Sequence, residues 1–280
     1  TAGMVFPPSY TPAIPEPTAD GPKRQLAGWG FQLLPYVEQE NLYRGNGFPN
    51  SDGKAANAMM TPLKIFRCPS VGKERSFALM SDAQIGKIHP ASNTQYNALT
   101  AAVLASPGLF QTDYAANGGV PRMDPTGQTI MPPVAWGGAF LPYDGGVRPK
   151  LRVWGDFKDG QSNTLLLGEK LLNKSLMGQP QADDFFGYCA GWYMSTVRFG
   201  ADPYNPVSAS VGPSNSPQQH YNSSQPIYNG GRFGATHPGG CQFVFGDGSV
   251  QSVSFNVDPV VFARLCDIAD GGVVSESDYN

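Results

Sequence analysis

The stretch HPGGCQFVFGDGSVQSV (237–253) sets a histidine nine residues ahead of an Asp-Gly pair, so that His237 and Asp247-Gly248 form an H-x9-DG pattern. An imidazole and a carboxylate joined by a hairpin can hold a metal or pass a proton. The spacing favours a structural role instead. A Gly-Asp-Gly turn places Asp247 at the tip, where its carboxylate accepts backbone N–H groups. His237 precedes Gly239-Gly240, outside the ladder, and anchors the approach to the hairpin. A metal or catalytic role would need more ligands, and only His89 and His220 remain as histidines.

A second group, GDFKDGQSNT, concentrates the oxygen donors Asp156, Asp159, Ser162 and Asn163. Hard cations such as calcium take several such oxygens. The spacing is not that of an EF-hand, and an Asp-Gly turn with side-chain caps accounts for it equally. Calcium bound there would stabilise rather than catalyse. Glu169, after the apolar run TLLLG, pairs with Lys170 as an ordinary surface couple or, if buried at a strand end, becomes a catalytic candidate without a visible partner.

Trp192 and Tyr193, in FFGYCAGWYMSTVRFG, and Tyr204, Tyr221 and Tyr228, in the loop beyond, are candidates for contact with a carbohydrate or a protein. For the first segment the stronger reading is a core strand. Signatures of serine hydrolases, zinc proteases, P-loops and dinucleotide-binding turns have no match in a convincing context. Cys68, Cys189, Cys241 and Cys266 contain no Cys-x-x-Cys pair, which argues against a cysteine zinc site. They fit either one or two disulfides in an oxidising compartment or buried free thiols.

The elements that would carry these residues are short. Gly (34) and Pro (26) make up about a fifth of the 280 residues and charged residues only 15%, which predicts many turns between short strands. A net charge of −3 without basic runs disfavours nucleic acid as a partner. No stretch approaches the ~20 apolar residues of a membrane span. Residues 1–25 form a proline-rich extended lead, and the opening TAGMVFPPSY reads as a mature or truncated fragment.

The apolar spacing of Leu33, Leu34, Val37 and Leu42 predicts a helix over 30–44. AANAMMTPLKIFRCPS predicts a short helix followed by a strand, IFRCP, that ends at Pro69. QYNALTAAVLAS (95–106) is a further helix candidate, TDYAANGG (112–119) a strand and turn, and 164–168 an apolar strand. Residues 200–231 form a long loop. Strands over 241–245 and 249–255 make a hairpin. A helix over 258–268 starts at Asp258-Pro259, an N-cap followed by proline at the first helical position. VVSESDYN adds a last short strand. The whole predicts one α+β domain, a twisted, mainly antiparallel sheet with a few helices and long Gly/Pro loops.

GWGFQLLPYVEQENLYR, FRCPS, TDYAANGG, DGQSNTLLLGEK and FGATHPGGCQFVFGDGSVQSVS occur in that order, and the series resembles the DUF1559 family. Its members are extracytoplasmic proteins typical of planctomycete bacteria, with a prepilin-type N-terminus and a C-terminal H-x9-DG motif. The ending LCDIADGGVVSES is similar too, with Val273 where a glutamate is expected. The resemblance implies a pilin-like or type II secretion pseudopilin-like head whose N-terminal anchor helix is absent from this chain. It implies a non-catalytic structural or binding role, with sister subunits, secretion machinery or a polysaccharide as partners. The membrane would be met only through the absent helix. An extracellular solute- or glycan-binding module is the alternative, and a hydrolase the weaker third.

Overall fold

A computed structural model describes residues 28–45, 57–72, 75–77, 109–120, 137–141, 152–179, 181, 183–184, 187–189, 195–201, 218–223 and 231–280. The proline-rich lead, the 95–106 helix candidate and most of the 200–231 loop lie outside them. Its strands are β1 (Ser76–Phe77), β2 (Leu109–Phe110), β3 (Tyr114–Asn117), β4 (Leu165–Glu169), β5 (Val197–Arg198), β6 (Gln218–Gln219), β7 (Gly234–Ala235), β8 (Gly240–Phe245) and β9 (Val250–Ser254). Its helices are α1 (Trp29–Leu33), α2 (Glu40–Arg44) and α3 (Pro259–Cys266), joined by several 3-10 turns. The class is α+β, as the predicted series of strands and helices implies.

Five strands make one mixed sheet in the order β5-β3-β4-β8-β9. β4 pairs antiparallel with β3 and β8, β8 pairs antiparallel with β9, and β5 joins β3 in parallel. The β8–β9 hairpin forms where the alternating pattern and Gly-Asp-Gly turn place it. Gly248 takes a positive φ, and Asp247 accepts from the N–H (2.9 Å) and hydroxyl (2.7 Å) of Ser249. Alternation sends Cys241, Phe243 and Phe245 of β8 to one face, where they are buried with Leu165 and Val253.

α3 closes that face. Asp258 caps it by accepting from the N–H groups of Val260 and Val261, and Pro259 stands in the first turn, where no N–H is needed. Phe262 meets Phe243 and Phe233 with ring centroids 5.8 and 6.1 Å apart, and Phe233 meets Phe243 at 5.1 Å. Each fully buried ring contributes about 1.5–3 kcal/mol of transfer free energy. The opposite face, with Gln242 and Val244 half-buried and Val250 exposed, is left partly open.

Three expectations need correction. The 30–44 segment is not one helix: Pro35, lacking an N–H, starts a 3-10 turn over Leu34–Val37, and Glu38 takes a left-handed φ of 60° before α2 begins. IFRCP is not a strand. It forms 3-10 turns at Lys64–Phe66 and Pro69–Val71, because its backbone groups go to Asp113 rather than to a ladder. The last residues form a 3-10 turn over Glu276–Asp278, capped by Ser275, not a strand. Tyr279 then packs on Phe245 and donates to Gln251.

Candidate functional site

Glu169 ends β4, and the β3–β4 register sets it opposite Tyr114. The preceding Gly168 has no room for a side chain, since a Cβ there would meet the Phe243 ring at 2.3 Å. β4 therefore runs tight against β8, and the Glu169 carboxylate reaches across so that Oε2 accepts from the Gln242 N–H at 2.9 Å. Its other oxygen, Oε1, accepts from the Cys68 thiol at 3.0 Å and lies 3.1 Å from His237 Nε2. Sγ and Nε2 are 3.9 Å apart. Glu169 is buried, whereas the His237 side chain is 30% exposed.

Cys68 and Glu169 are held by their neighbours. The Cys68 N–H donates to Asp113 Oδ2 at 2.8 Å, and the Asp113 N–H returns a bond to the Phe66 carbonyl at 2.8 Å. Phe66 stacks on Tyr188 at 4.6 Å. Asp113 also accepts from Arg75 Nε at 2.6 Å, and its carbonyl accepts from the Lys170 N–H. His237 sits in the bend before β8, where Gly239 takes a φ of +85° that favours glycine.

The cluster opens into a cleft of about 450 Å³ on the open face of the sheet. Its walls are largely apolar: Trp29, Leu33, Ile65, Leu167, Val244 and Val250. Trp29 is fixed there by its indole N–H, which donates to the Thr196 carbonyl at 2.8 Å. Burial, reinforced by the Glu169 hydrogen bond and charge, pushes the Cys68 thiol up. Burial and the same neighbouring groups raise the Tyr114 phenol, which also lines the cleft. Both therefore stay protonated near neutral pH when no cation is present.

Cys68 and Glu169 both approach His237 at Nε2 rather than at the two ends of the ring. A thiolate nucleophile needs an unengaged base nitrogen and a third group orienting the base from its far side. Here Glu169 occupies the same Nε2 that faces the thiol.

Behind the floor lies a second polar cluster. Lys170 is not a surface partner of Glu169: it is 1% exposed, and its Nζ lies 2.6 Å from Asp184 Oδ1 and 2.7 Å from the Ser195 carbonyl. Arg75 bonds Asp184, Asp113 and the Thr112 carbonyl. This network rigidifies Asp113 and the end of β4, which carry Cys68 and Glu169.

His237 thus meets Glu169 and Cys68, while Asp247 is spent on its own turn, where the Ser249 bonds hold its carboxyl low. Two of the oxygen donors proposed for calcium, Asp156 and Asp159, serve as caps. Asp156 accepts from the Val153 N–H, Asp159 from the N–H groups of Asp270 and Gly271, and Asn163 donates to the Asp159 carbonyl, while Ser162 is exposed. Cys68, Cys189, Cys241 and Cys266 are buried free thiols, with no bridge among them. Tyr221 is half-buried and accepts from the Lys174 N–H through its carbonyl. Trp192, Tyr193, Tyr204, Tyr228 and His89 lie outside the described residues.

The sequence marks His237 and Glu169 separately, but nothing local joins them to each other or to Cys68. Cys68 is 169 positions away from His237 and Glu169 is 68. An acid closing an apolar strand, where exposure is least expected, already marks Glu169 in the sequence, whereas Cys68 carries no such signal.

A family model described as Protein of unknown function (DUF1559) matches residues 2–260. No curated protein and no solved structure matches the chain.

Proposed function

The chain belongs to the DUF1559 family, and from that premise we propose that it is a non-catalytic, extracytoplasmic pilin-like protein that works by binding through the open face of its sheet. The observation that carries this is the asymmetry of the sheet. α3 and its aromatic cluster close one face, while the other offers a cleft whose apolar rim includes Ile65 at 51% and Val250 at 64% exposure. Apolar side chains so placed suit a surface covered by a second chain in the assembled state. The protonated thiol and the engaged His237 nitrogen favour holding over turnover.

The test is site-specific photo-crosslinking in cells that produce the complete gene product. A benzophenone amino acid at Val250 should yield covalent multimers of the protein in the envelope fraction. The same group at Val273, which is exposed away from the cleft, should yield far fewer. Protein confined to the cytosol, or equal adducts from both positions, would overturn the proposal.

A second reading, a solute- or glycan-binding module, draws on the size of the cleft. About 450 Å³ lies within the range of small-ligand sites, which combine apolar walls with a few convergent polar groups. No multimers from Val250, together with a melting shift on a panel of sugars, would move the assignment to that reading.

A further inference from the structure

Three potential ligand atoms of different chemistry converge at the floor of the cleft. Among the described residues, Cys68, Glu169 and His237 bring a sulfur, a carboxylate oxygen and an imidazole nitrogen within 4.8 Å of one another. The edges of the triangle are 3.0 Å (Sγ to Oε1), 3.1 Å (Oε1 to Nε2) and 3.9 Å (Nε2 to Sγ). In a tetrahedral zinc site with ordinary bond lengths the corresponding edges are about 3.3–3.7 Å. The two short edges need to open by a few tenths of an ångström and the long one to close by as much. His237, partly exposed at the rim, can supply that movement.

We propose that Cys68, Glu169 and His237 are the protein ligands of a zinc ion whose fourth coordination position opens into the cleft. The site goes beyond the binding role assigned to that face and does not depend on assembly of sister subunits. The donor set selects the metal. Thiolate, carboxylate and neutral imidazole carry two negative charges, which a dication neutralises in a poorly solvated floor. Sulfur disfavours calcium and magnesium, which take oxygen ligands. A set of three protein ligands with one position left open is the arrangement of zinc sites that exchange a water or a ligand, rather than of closed structural ones.

The outer contacts already suit such a site. Glu169 Oε2 is fixed by the Gln242 N–H, and the backbone of Cys68 by Asp113, so two of the three ligands are oriented before metal arrives. On binding, the thiol gives up its proton and His237 carries its remaining proton on Nδ1, leaving Nε2 to the metal. Without metal, the hydrogen bonds onto Oε1 keep the same three groups together.

The test uses the reduced, chelator-stripped protein, titrated anaerobically with Co²⁺ and then with Zn²⁺. One cobalt per chain should appear with a thiolate-to-cobalt charge-transfer band and visible bands of tetrahedral intensity, and zinc should displace it. Cys68→Ser should abolish the charge-transfer band. His237→Gln should weaken binding by more than about 100-fold, beyond what changes in outer contacts cost. Asp247→Ala should bind as the parent does. X-ray absorption on the unmutated zinc protein covers the case of a misfolded variant, with one sulfur expected at about 2.3 Å and the remaining ligands at about 2.0–2.2 Å. Absence of the charge-transfer band, its survival in folded Cys68→Ser, or a zinc shell without sulfur would overturn the proposal. These measurements use isolated chains, so their failure is separate from a failure of crosslinking in cells.

Discussion

Lys170 Nζ lies 2.6 Å from Asp184 Oδ1, with neither side chain exposed to solvent. Asp184 gives its other oxygen to the equally buried Arg75. Burial pushes Asp184 up, but Arg75 and Lys170 outweigh it and hold the carboxylate ionised, while burial brings Lys170 down to about 8. Asp184→Asn would leave two cations with one charged partner fewer. The expected loss is about 3–5 kcal/mol, the cost of removing one partner of a buried ion pair. Urea denaturation at pH 7 measures it, and a loss below about 1 kcal/mol would show that the remaining carboxylates, Asp113 beside Arg75 and Asp183 near Lys170, balance the cations without Asp184.

Acid should act through His220. Its Nε2–H donates to the Lys170 carbonyl at 2.9 Å, and its Nδ1 is buried without a hydrogen-bond partner. Burial, helped by the charges of Arg75 and Lys174 and opposed by Asp113, pushes this imidazole down to about 4. The folded state therefore favours the neutral ring. Above pH 6.5 the ring is neutral in both states and its contribution is fully present. As the pH falls from 6.5 towards 4 the unfolded chain takes up the proton first, and stability drops by up to about 3 kcal/mol. His220→Gln keeps a donor but cannot titrate. The fall in unfolding free energy between pH 7 and pH 4.5 should be about 2–3 kcal/mol smaller in the variant. Equal slopes would exclude His220 as the acid-sensitive group.

Gly168 tests how tightly β4 and β8 are drawn together. A methyl there would overlap the rings of Phe243 (2.3 Å) and Phe233 (2.9 Å), both locked against α3. Gly168→Ala should cost about 1–3 kcal/mol as overpacking. The effect should show as a lower melting temperature and, because Glu169 is the next residue, as weaker cobalt binding. A variant as stable as the parent would mean that the aromatic cluster can move aside.

The parts of this fold legible in the sequence are those set by neighbours in the chain. The β8–β9 hairpin follows from alternation around Gly-Asp-Gly, and α3 follows from Asp258-Pro259 and its apolar face. IFRCP has the composition of a strand, but its backbone partner is the carboxylate of Asp113, 45 positions beyond Cys68, and no local pattern encodes that. Of the periodic residues in 30–44, Leu34 and Leu42 are buried while Leu33 and Val37 are half-buried. The periodicity continues through a break at Pro35 and Glu38 that spacing alone does not register. The site is assembled by the sheet: the β3–β4 register sets Glu169 beside Tyr114, and the β4–β8 pairing brings it to Gln242. His237 and Glu169 each carried a local signal, but nothing local showed that they meet or that Cys68 joins them.

The thiols give the most direct check on both the core and the site. Cys189, Cys241 and Cys266 have no solvent exposure, and burial raises each thiol well above its usual range. They should react with a thiol reagent only as fast as the protein unfolds, because the thiolate is the reactive form and access requires opening. Cys68 differs: it is 6% exposed and borders the cleft. Labelling of the native, reduced, metal-free protein with iodoacetamide, read by peptide mass spectrometry, should mark Cys68 first, slowly at pH 7 and faster at pH 9 as its thiolate forms. Zinc should protect Cys68 and leave the other three unchanged, since it would hold the sulfur in a coordinate bond. Labelling of Cys241 ahead of Cys68 would place the open face of the sheet elsewhere. Labelling of Cys68 at the same rate with and without zinc would separate the thiol from the metal.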